Sequence, residues 1–431
     1  MKVITRIKVT NFKSFKRLEV KLGKFNVFIG ANASGKSNFI QVFEFLRDIS
    51  AAGLDNAISM QGGAKYLTNM LSDPSADLSL EIELDTSDMP IFSLFPSIIY
   101  AADEHVESQS KCALYKLTIR FKENKIEIVE DTLTEAFEFK DRTPHGRVNE
   151  KRSLEGSIRI STIPEVDFTY NLPDQIRLDD DAKSQLDFFK KIVTRGFRAE
   201  SEGRNKVLLE SSPAASFFPA FDMRLNDISI FDFDPKLPKR AVFIKGRAEL
   251  EEDGSNLAIA LKNILDDKEK ERVFNNLIQD LLPFVDKFQV EQIQDTSFII
   301  LLKEEYFTNK YLPAPLISDG TINIAALILA LFFDRNPIAI IEEPERNMHP
   351  HLVSKTVGMM KEASENKQII ITTHNPQIVK NLSRSELFLV SRDKKGYSSI
   401  TPSQNIAQLE VFLKNLGIDE LYVDNLLESL K

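Results

Sequence analysis

The amino-acid sequence predicts an α/β protein that combines a parallel core sheet, an antiparallel β lobe and a large α+β insertion. Three observations support this fold class. An apolar strand at 25–29 runs into a glycine-bearing loop and then a helix, strands of period two occur between 78 and 128, and helices alternate with strands from 321 onward. Such helix–strand alternation is typical of a parallel sheet covered by helices.

Hydrophobic periodicity places the elements of the N-terminal part. Phe39, Val42, Phe43 and Leu46 have the i, i+3, i+4, i+7 spacing of a helix with one buried face. Alternating apolar residues, or short apolar runs, predict the strands. These strands are expected at 5–9, 18–22, 25–29, 78–84, 115–121 and 126–128, the last two separated by a turn at 123–124.

From about residue 140 the pattern changes. Short strands such as 157–160 are expected between polar and proline-bearing stretches up to about 250, and they are followed by a helix at 273–281 and a strand at 298–302. Regular alternation then returns. The predicted C-terminal elements are a helix at 321–334, a strand at 337–341, a helix at 350–365, strands at 368–372 and 386–390, and terminal helices before residue 431.

Composition limits the classes of protein that the sequence fits. The 431 residues suffice for two or three domains, and 42% hydrophobic with 28% charged residues are typical of a soluble globular chain. The longest apolar run, 324–333, is about half of the ~20 residues that a membrane span requires. Because the N-terminus has no export signal and Cys112 is the only cysteine, we expect a cytoplasmic protein without a membrane span, disulfides or a cysteine-rich metal site.

The net charge of −9 disfavours a nucleic-acid binder that uses its whole surface, and it confines any such contact to a local patch. Two basic segments in the insertion are candidates. Most charge runs are solvated surfaces, so a surface without a ligand and a groove for DNA or a partner protein both remain open. The first segment contains Lys190, Lys191, Arg195, Arg198, Arg204 and Lys206, and the second contains Lys236, Lys239, Arg240, Lys245 and Arg247.

A phosphate-binding loop is predicted between the strand at 25–29 and the helix that follows it. The stretch reads G-x-x-x-x-G-K-S, whose glycines allow successive N–H groups to point at phosphate oxygens. Lys36 supplies a charge for the β- and γ-phosphates and Ser37 a hydroxyl for Mg²⁺, so the expected ligands are ATP and Mg²⁺. The flanking strand and helix disfavour a turn without a ligand. The predicted ATP-binding residues here are Gly30, Ala31, Asn32, Ala33, Ser34, Gly35, Lys36, Ser37 and Asn38.

Paired carboxylates follow the apolar strand at 337–341. In P-loop enzymes such a strand is expected beside the phosphate-loop strand, where its first acid meets Mg²⁺. Glu342 is then the Mg²⁺ ligand, and Glu343 is the base that orients or deprotonates the attacking water. Without the phosphate loop, a buried strand ending in a solvated acidic turn would be the preferred interpretation.

Two further segments are candidate parts of the same site. His374 ends the apolar strand at 368–372 and can sense the γ-phosphate, although a histidine at a strand end is more often structural. Ser318-Asp319-Gly320-Thr321 precedes a helix and can offer a hydroxyl, N–H groups and a helix N-terminus to an anion. Its alternative role is a helix cap, with Ser318 or Thr321 as the capping residue.

Taken in order, these pieces resemble the ABC-type ATPase head of the RecF, SMC and OLD group, a class of P-loop NTPases. The resemblance implies ATP hydrolysis in an ATP-sandwich dimer, in which Ser318 and Gly320 of one subunit contact the γ-phosphate held by the other, with 347–350 near the D-loop position at the dimer seam. The matching motifs are NFKSF at 11–15, GANASGKSN at 30–38, DGSNL at 253–257, SDGT at 318–321, IEEPE at 341–345, MHP at 348–350 and TTHNP at 372–376.

Departures from the group are informative. The Mg²⁺ acid is usually Asp and is Glu342 here, and the Q-loop glutamine has no clear match, with Gln61 as the candidate. Only 57 residues (431 − 374) follow His374, too few for the Toprim domain of OLD nucleases, and the sequence has no long heptad run. The resemblance implies a homodimer or higher oligomer, and the lack of a Toprim domain leads us to expect a separate effector such as a nuclease. The predicted division is 1–95 and 306–431 for the two parts of the head and 96–305 for the insertion.

The function predicted from these features is an ATPase that gates DNA repair or anti-phage defence. A transporter's nucleotide-binding subunit is disfavoured by the insertion of about 200 residues and by SDGT in place of LSGGQ. A GTPase is disfavoured because the sequence has no NKxD motif to recognise the guanine base. A P-loop kinase is disfavoured because it would have no use for a signature segment such as SDGT that acts on a second subunit. A protein that binds ATP as a clamp without hydrolysing it remains an alternative. Glu343 disfavours it, because such a clamp needs no base to activate water.

Overall fold

A computed structural model gives the fold. It describes residues 3–73, 75–87, 99–101, 104–122, 125–142, 148–174, 177–178, 180, 183–184, 187–188, 190–192, 194–195, 205–210, 227–375 and 377–405. The chain divides into two compact units, each assembled from separate stretches of sequence. The first unit comprises 1–23, 38–227 and 392–400, and the second comprises 24–37, 228–391 and 401–431. The predicted boundaries at 95 and 305 remain a prediction.

The first unit is built on a nine-stranded antiparallel sheet with the main order β2-β1-β4-β6-β7-β8-β9, in which β5 also pairs with β6 and β10 pairs with β5. Its strands are β1 (Val3–Phe12), β2 (Phe15–Lys21), β4 (Leu78–Asp85), β5 (Ile99–Ala101), β6 (Glu104–Lys122), β7 (Lys125–Arg142), β8 (Val148–Ser161), β9 (Asp167–Asn171) and β10 (Arg177–Leu178).

Strand register explains why this sheet is stable. One row of directly opposed residues crosses seven strands, and every member of the row is apolar and buried. Cross-strand pairs of this kind are the unit of sheet stabilisation. The row is Val20, Ile7, Ile82, Tyr115, Leu133, Ile160 and Phe168.

Helices cover this sheet. Phe45 of α1 (Lys36–Ala52) contacts Phe12 of β1, with 6.1 Å between the ring centroids. Two short helices follow, α2 (Leu54–Met60) and α3 (Ala64–Leu67), each preceded by a glycine with positive φ. A 3₁₀ turn, Leu208–Glu210, also belongs to this unit.

The second unit contains the predicted parallel sheet, with the order β11-β16-β17-β3-β18-β19. All the pairings from β11 to β18 are parallel. The residues of β3 and β17 are buried throughout, as expected for central strands of a parallel sheet. The strands are β3 (Phe25–Ile29), β11 (Ile228–Phe231), β16 (Ile338–Glu342), β17 (Gln368–Thr373), β18 (Leu387–Arg392) and β19 (Ser398–Pro402).

This order corrects one expectation. The acidic strand β16 does not lie beside the phosphate-loop strand β3, because β17 pairs with both of them. Every residue of β17 is buried, and its centre, Ile369–Ile371, is apolar, as expected for a strand with a neighbour on each side.

A smaller sheet and four helices complete the second unit. The sheet has the order β12-β14-β13, with β15 paired to β14. The helix α6 (Asp319–Ile328) continues into one π-helical turn, Leu329–Phe333. Together they correspond to the helix predicted at 321–334. The bounds are β12 (Val242–Phe243), β13 (Val285–Ile293), β14 (Ser297–Glu304), β15 (Leu312–Pro313), α4 (Leu257–Leu265), α5 (Lys268–Leu281), α6 (Asp319–Ile328) and α7 (Pro350–Ala363), with 3₁₀ turns at Ala314–Leu316, Ile378–Asn381 and Ser403–Asn405.

Two further expectations are wrong. The strand expected at 157–160 is the 14-residue strand β8, because β8 pairs along nearly its whole length with β7 despite its polar stretches, whereas β9 to β12 are short as predicted. After β18 a further strand, β19, follows, where only terminal helices were expected. The remainder of that prediction, residues 406–431, lies outside the described residues. Among the helices described, none is long and apolar enough to cross a membrane.

Candidate nucleotide-binding site

The carboxyl ends of β3, β16 and β17 lie at one edge of the parallel sheet. Glu342 pairs with Thr372, and Thr372 pairs with Phe28, so the three strands end at nearly the same level. The segments that leave them are the phosphate loop, the acidic pair and the turn with His374. This parallel register is why residues more than 300 positions apart in sequence come together.

The phosphate loop has a backbone that only small residues allow. A Cβ atom on Gly30 would lie 2.3 Å from the carbonyl oxygen of Val390 and 2.6 Å from the hydroxyl of Ser34. Ala33 and Gly35 have φ values of 63° and 115°, in the left-handed region that favours glycine. The loop is therefore closely curled, as a cradle of backbone N–H groups requires.

Lys36 begins α1 and is held inside this loop. Its Nζ donates hydrogen bonds to the carbonyl oxygens of Gly30 at 2.7 Å and Ala31 at 2.9 Å, and the residue is only 8% exposed. Burial lowers the pKa of Lys36, while Glu343, Glu342 and Glu345 act in the opposite direction. A buried ammonium with few water contacts interacts strongly with an anion that enters the loop.

Ser37 and Glu342 form the second pair of the site. The Ser37 hydroxyl donates to Oε2 of Glu342 at 3.0 Å. Burial raises the pKa of Glu342, the neighbouring Asp232 and Glu343 raise it further, and the hydrogen bond from Ser37 lowers it. A carboxylate and a hydroxyl at this spacing form an oxygen donor set of the kind that Mg²⁺ prefers, so these two residues fit the ion.

Glu343 and His374 meet at the same edge. His374 Nδ1 lies 2.7 Å from Glu343 Oε1, and the histidine side chain is 52% exposed. Glu343 has a φ of 44°, a conformation that costs about 1–3 kcal/mol for a residue with a Cβ. Its N–H donates to the Thr372 carbonyl at 2.8 Å, and Arg346 Nη2 lies 3.4 Å from its other oxygen. The carboxylate of Glu343 is thus oriented from two sides.

The signature segment has the geometry of a helix cap. Ser318 is the N-cap of α6, and its hydroxyl accepts a hydrogen bond from Thr321 N at 3.1 Å, so the capping alternative is observed for Ser318. A Cβ on Gly320 would lie 2.7 Å from the carbonyl oxygen of Asn347, whose φ is 62°. The segment with Ser318 and the segment 347–350 therefore touch within one chain. Ser318 is exposed.

Other predicted residues have different surroundings. Asn38 donates its amide to Ser14 Oγ at 2.7 Å within the first unit, in the NFKSF motif. Gln61 caps the end of α2, also in that unit, and its role as the Q-loop residue stays a prediction. In the DGSNL motif, Asn256 bonds Glu251 N and the carbonyls of Arg247 and Glu249, which fixes the turn before α4.

The basic segments are described in part. Lys190, Lys191 and Arg195 are exposed, and Lys190 lies 3.7 Å from Asp167. Arg198 and Arg204 lie outside the described residues. In the second segment, Lys239 forms a close ion pair with Asp319 in the signature, while its basic neighbours Lys236, Arg240, Lys245 and Arg247 are exposed.

The sequence analysis assigned no role to the polar residues Glu345 and Arg346 of this edge. Glu345 is buried and accepts a close hydrogen bond from the Thr373 hydroxyl. Arg346 binds Asp232 at 2.9 Å as well as Glu343. Glu345 is the last residue of the IEEPE motif and Thr373 the second residue of TTHNP, but the two lie 28 positions apart, and no periodicity connects them.

Comparisons with known proteins identify a family and a similar fold. A family model described as "AAA domain, putative AbiEii toxin, Type IV TA system" matches residues 25–380. The Septu protein PtuA of Bacillus mycoides (strain KBAB4) is 29% identical over 157 residues, which is 32% of this chain and 21% of that relative. The chain therefore spans about a fifth of the length of the curated relative it matches.

Two solved structures are similar in outline. A crystal structure of the SMC head bound to the C-winged helix domain of ScpA covers 92% of this chain and 97% of its own, with 16% identity and a TM-score of 0.47. The SMC head domain from Thermotoga maritima covers 93% and 98%, with 12% identity and a TM-score of 0.39. The predicted fold class, a P-loop ABC-type ATPase head with a parallel core sheet and an antiparallel lobe, is confirmed.

Proposed function

The chain belongs to the family described as "AAA domain, putative AbiEii toxin, Type IV TA system", and on that basis we propose that it binds and hydrolyses ATP as an ATP-sandwich dimer. One observation carries the proposal. Lys36, the Ser37–Glu342 pair and the Glu343–His374 pair converge at one edge of the parallel sheet. Phosphate binding, metal binding and water activation each have a residue there.

Each residue has a chemical task in this proposal. Lys36 and the loop N–H groups bind the β- and γ-phosphates, and Ser37 and Glu342 hold Mg²⁺. When bound, the ion neutralises charge on the phosphate oxygens. Glu343 accepts a proton from the attacking water, and His374 holds the Glu343 carboxylate in place. Because a pure ATP clamp has no use for a positioned base, this pair favours hydrolysis over the clamp alternative.

The position of Ser318 and Gly320 supports the proposed dimer. Neither residue is a hydrogen-bonding partner of the phosphate-loop residues in the contacts that the described part of the chain provides, and Ser318 is exposed at a helix N-terminus. Such an N-terminus attracts anions. The resemblance to the RecF, SMC and OLD group supports a γ-phosphate of a second subunit as that anion. We propose that these residues complete the neighbouring subunit's site.

The biological setting is part of the proposal. The same resemblance points to a DNA-related process in the cytoplasm, either repair or anti-phage defence, in which the ATPase acts with a separate effector such as a nuclease. DNA or that effector is proposed to meet a basic segment of the insertion. ATP closure of the dimer gates the process, because it changes the surface that the two subunits present together.

A complementation experiment tests the shared site. Lys36→Ala chains lack the phosphate ligand and Ser318→Arg chains lack the trans ligand, so each alone should release little phosphate. When the two are mixed, about one working site per mixed dimer should return. That site combines Lys36 of the Ser318→Arg chain with Ser318 of the Lys36→Ala chain. Ser385→Arg, at an exposed serine elsewhere in the second unit, is the control and should hydrolyse ATP normally by itself. A mixture that stays inactive although mixed dimers form contradicts the shared site.

A further inference from the structure

Glu345 is a buried acid that the proposed reaction does not yet use. It is 6% exposed, and burial raises its pKa. The Thr373 hydroxyl donates a close hydrogen bond to Oε1 of Glu345. Its other oxygen, Oε2, is buried and has no hydrogen-bond partner among the residues that the structure describes. A half-satisfied buried carboxyl is costly, so the fold alone gives no reason to keep it.

The Thr373 hydroxyl, which donates to Glu345, also accepts a hydrogen bond from the turn that contains His374. The Thr373 oxygen Oγ1 accepts a hydrogen bond from the Asn375 N–H at 2.8 Å. Its carbonyl also accepts one from the Gly30 N–H at 3.2 Å, which ties the same residue to the phosphate loop. His374 lies between the two bonded positions, 373 and 375, and its Nδ1 reaches Glu343 at 2.7 Å.

We infer that Glu345 is a positioning residue for hydrolysis, which acts through Thr373 to hold His374 against the base Glu343. A hydroxyl has one proton and two lone pairs. With its proton directed at Glu345, Thr373 turns a lone pair toward the Asn375 N–H and fixes the turn. Without an acceptor at 345, the hydroxyl proton is free to rotate, and the lone pair that accepts from the Asn375 N–H no longer has a fixed orientation. The inference rests on the proposed ATP hydrolysis.

Two substitutions separate positioning from structural support. Glu345→Met keeps a similar volume and removes the acceptor, whereas Glu345→Gln keeps an acceptor oxygen. We expect Glu345→Met to lower kcat about 10- to 100-fold, as loss of a supporting hydrogen bond around a site does, with the KM for ATP unchanged. Its melting temperature should change little, because removal of the half-paired buried carboxyl offsets the loss of the hydrogen bond from Thr373. Glu345→Gln should restore most of the turnover.

A neighbouring threonine provides a matched control. Thr372 is on the same strand and equally buried, but its hydroxyl has no hydrogen-bond partner in the described part of the chain. Thr373→Val should therefore lower kcat as Glu345→Met does, and Thr372→Val should leave kcat at the wild-type value. Because the two substitutions are chemically identical, a difference between them comes from the hydrogen bonds of Thr373.

A double-mutant cycle with His374→Ala completes the test. If Glu345 acts through His374, Glu345→Met causes little further loss in the His374→Ala background. Full additivity, wild-type turnover in Glu345→Met, or a fall in kcat that follows a fall in melting temperature would each overturn the inference. Wild-type protein that releases no phosphate instead refutes the proposed function itself, which makes the two failures distinguishable.

Discussion

Two buried carboxylates, one in each unit, have opposite surroundings. Asp131 in the antiparallel sheet accepts hydrogen bonds on both oxygens, from Tyr115 at 2.8 Å, from Thr162 at 2.8 Å and from Leu208 N at 2.9 Å. At the edge of the parallel sheet, Oε1 of Glu345 accepts a hydrogen bond from Thr373, whereas Oε2 has no hydrogen-bond partner among the described residues. Buried polar groups are normally satisfied, so Asp131 follows the rule and Glu345 departs from it.

This difference distinguishes a carboxylate that stabilises the fold, Asp131, from one at the proposed catalytic site, Glu345. Asp131 joins β6, β7, the loop after β8 and the turn at Leu208–Glu210, so its hydrogen bonds hold distant segments of one unit together. At the nucleotide edge, Glu343 and Asn347 have positive φ, and Gly320 contacts the Asn347 backbone closely. Strain and unsatisfied groups are retained where a ligand is handled. In the antiparallel unit, Lys13 with positive φ lies in the β1–β2 hairpin turn, and Asn11 lies two residues earlier, near the end of β1.

The largest effects are expected at the nucleotide edge. Lys36→Ala should abolish ATP binding, because the loop loses its only fixed positive charge. Glu343→Gln should bind ATP normally and hydrolyse it about 10²- to 10⁴-fold more slowly, the range for loss of a general base. Binding is measured with a fluorescent ATP analogue and turnover by phosphate release. Wild-type turnover in Glu343→Gln would remove this residue from the role of base.

Asp131→Ala should instead affect stability alone. Three donors lose their acceptor in a buried site, so we expect a loss of about 2–4 kcal/mol in the free energy of unfolding. Turnover per folded molecule should not change. Asp77→Ala removes a surface ion pair with Arg120 and serves as the control, with little expected loss of stability because exposed ion pairs contribute little. Urea unfolding of the three proteins measures the difference. Normal stability in Asp131→Ala would remove the contrast with Glu345.

The pH dependence of stability tests the same carboxyl. Burial raises the pKa of Asp131 to about 6, although hydrogen bonds from Thr162, Tyr115 and Leu208 oppose the shift. In the unfolded chain the pKa is about 3.9, so the folded state binds the extra proton between these values. This contribution is fully present below about pH 4 and is lost as pH rises through about 6, on the order of 3 kcal/mol. The comparison is wild type against Asp131→Asn, whose difference in unfolding free energy should shift in this window and be flat above pH 7.

A smaller effect is expected where the signature meets the segment 347–350. Gly320→Ala places a methyl group 2.7 Å from the Asn347 carbonyl, so the backbone must shift, at a cost of about 1–3 kcal/mol. The same shift should displace Ser318 and lower turnover. Gly358→Ala in α7 is the matched control, because the added methyl meets no atom within 4 Å and alanine favours the helix by about 0.8–1.0 kcal/mol. Equal melting temperatures in the two variants would contradict this contact.

The same contrast explains what the sequence could predict. The phosphate loop and the Glu342–Glu343 pair are contiguous motifs with strong local constraints, so their chemistry was predictable. Asp131 and Glu345 were not, because their partners Leu208 and Thr373 lie 77 and 28 positions away. The order of β16, β17 and β3 was also missed, since period and propensity identify strands but do not choose neighbours. β8 was predicted too short because the sheet, and not its own alternation, holds its polar residues extended.

The smallest effect concerns the exposed basic residues of the first unit. If Lys190, Lys191 and Arg195 contact phosphates of a nucleic acid, each neutralisation should lower the slope of log K against log salt by roughly 0.7–0.9. Affinity should depend on ATP, because closure of the dimer brings two such segments into one surface. The measurement is a salt titration of binding to duplex and single-stranded DNA, with and without ATP, for wild type and for the triple alanine variant.

Lys24→Ala/Lys268→Ala/Lys310→Ala, at exposed lysines of the second unit, is the control of equal charge. A slope equal to that of wild type, with ATP hydrolysis intact, would make the segment a solvated surface. The search would then move to Lys236 through Arg247, where the Lys239–Asp319 ion pair already links the basic residues to the signature.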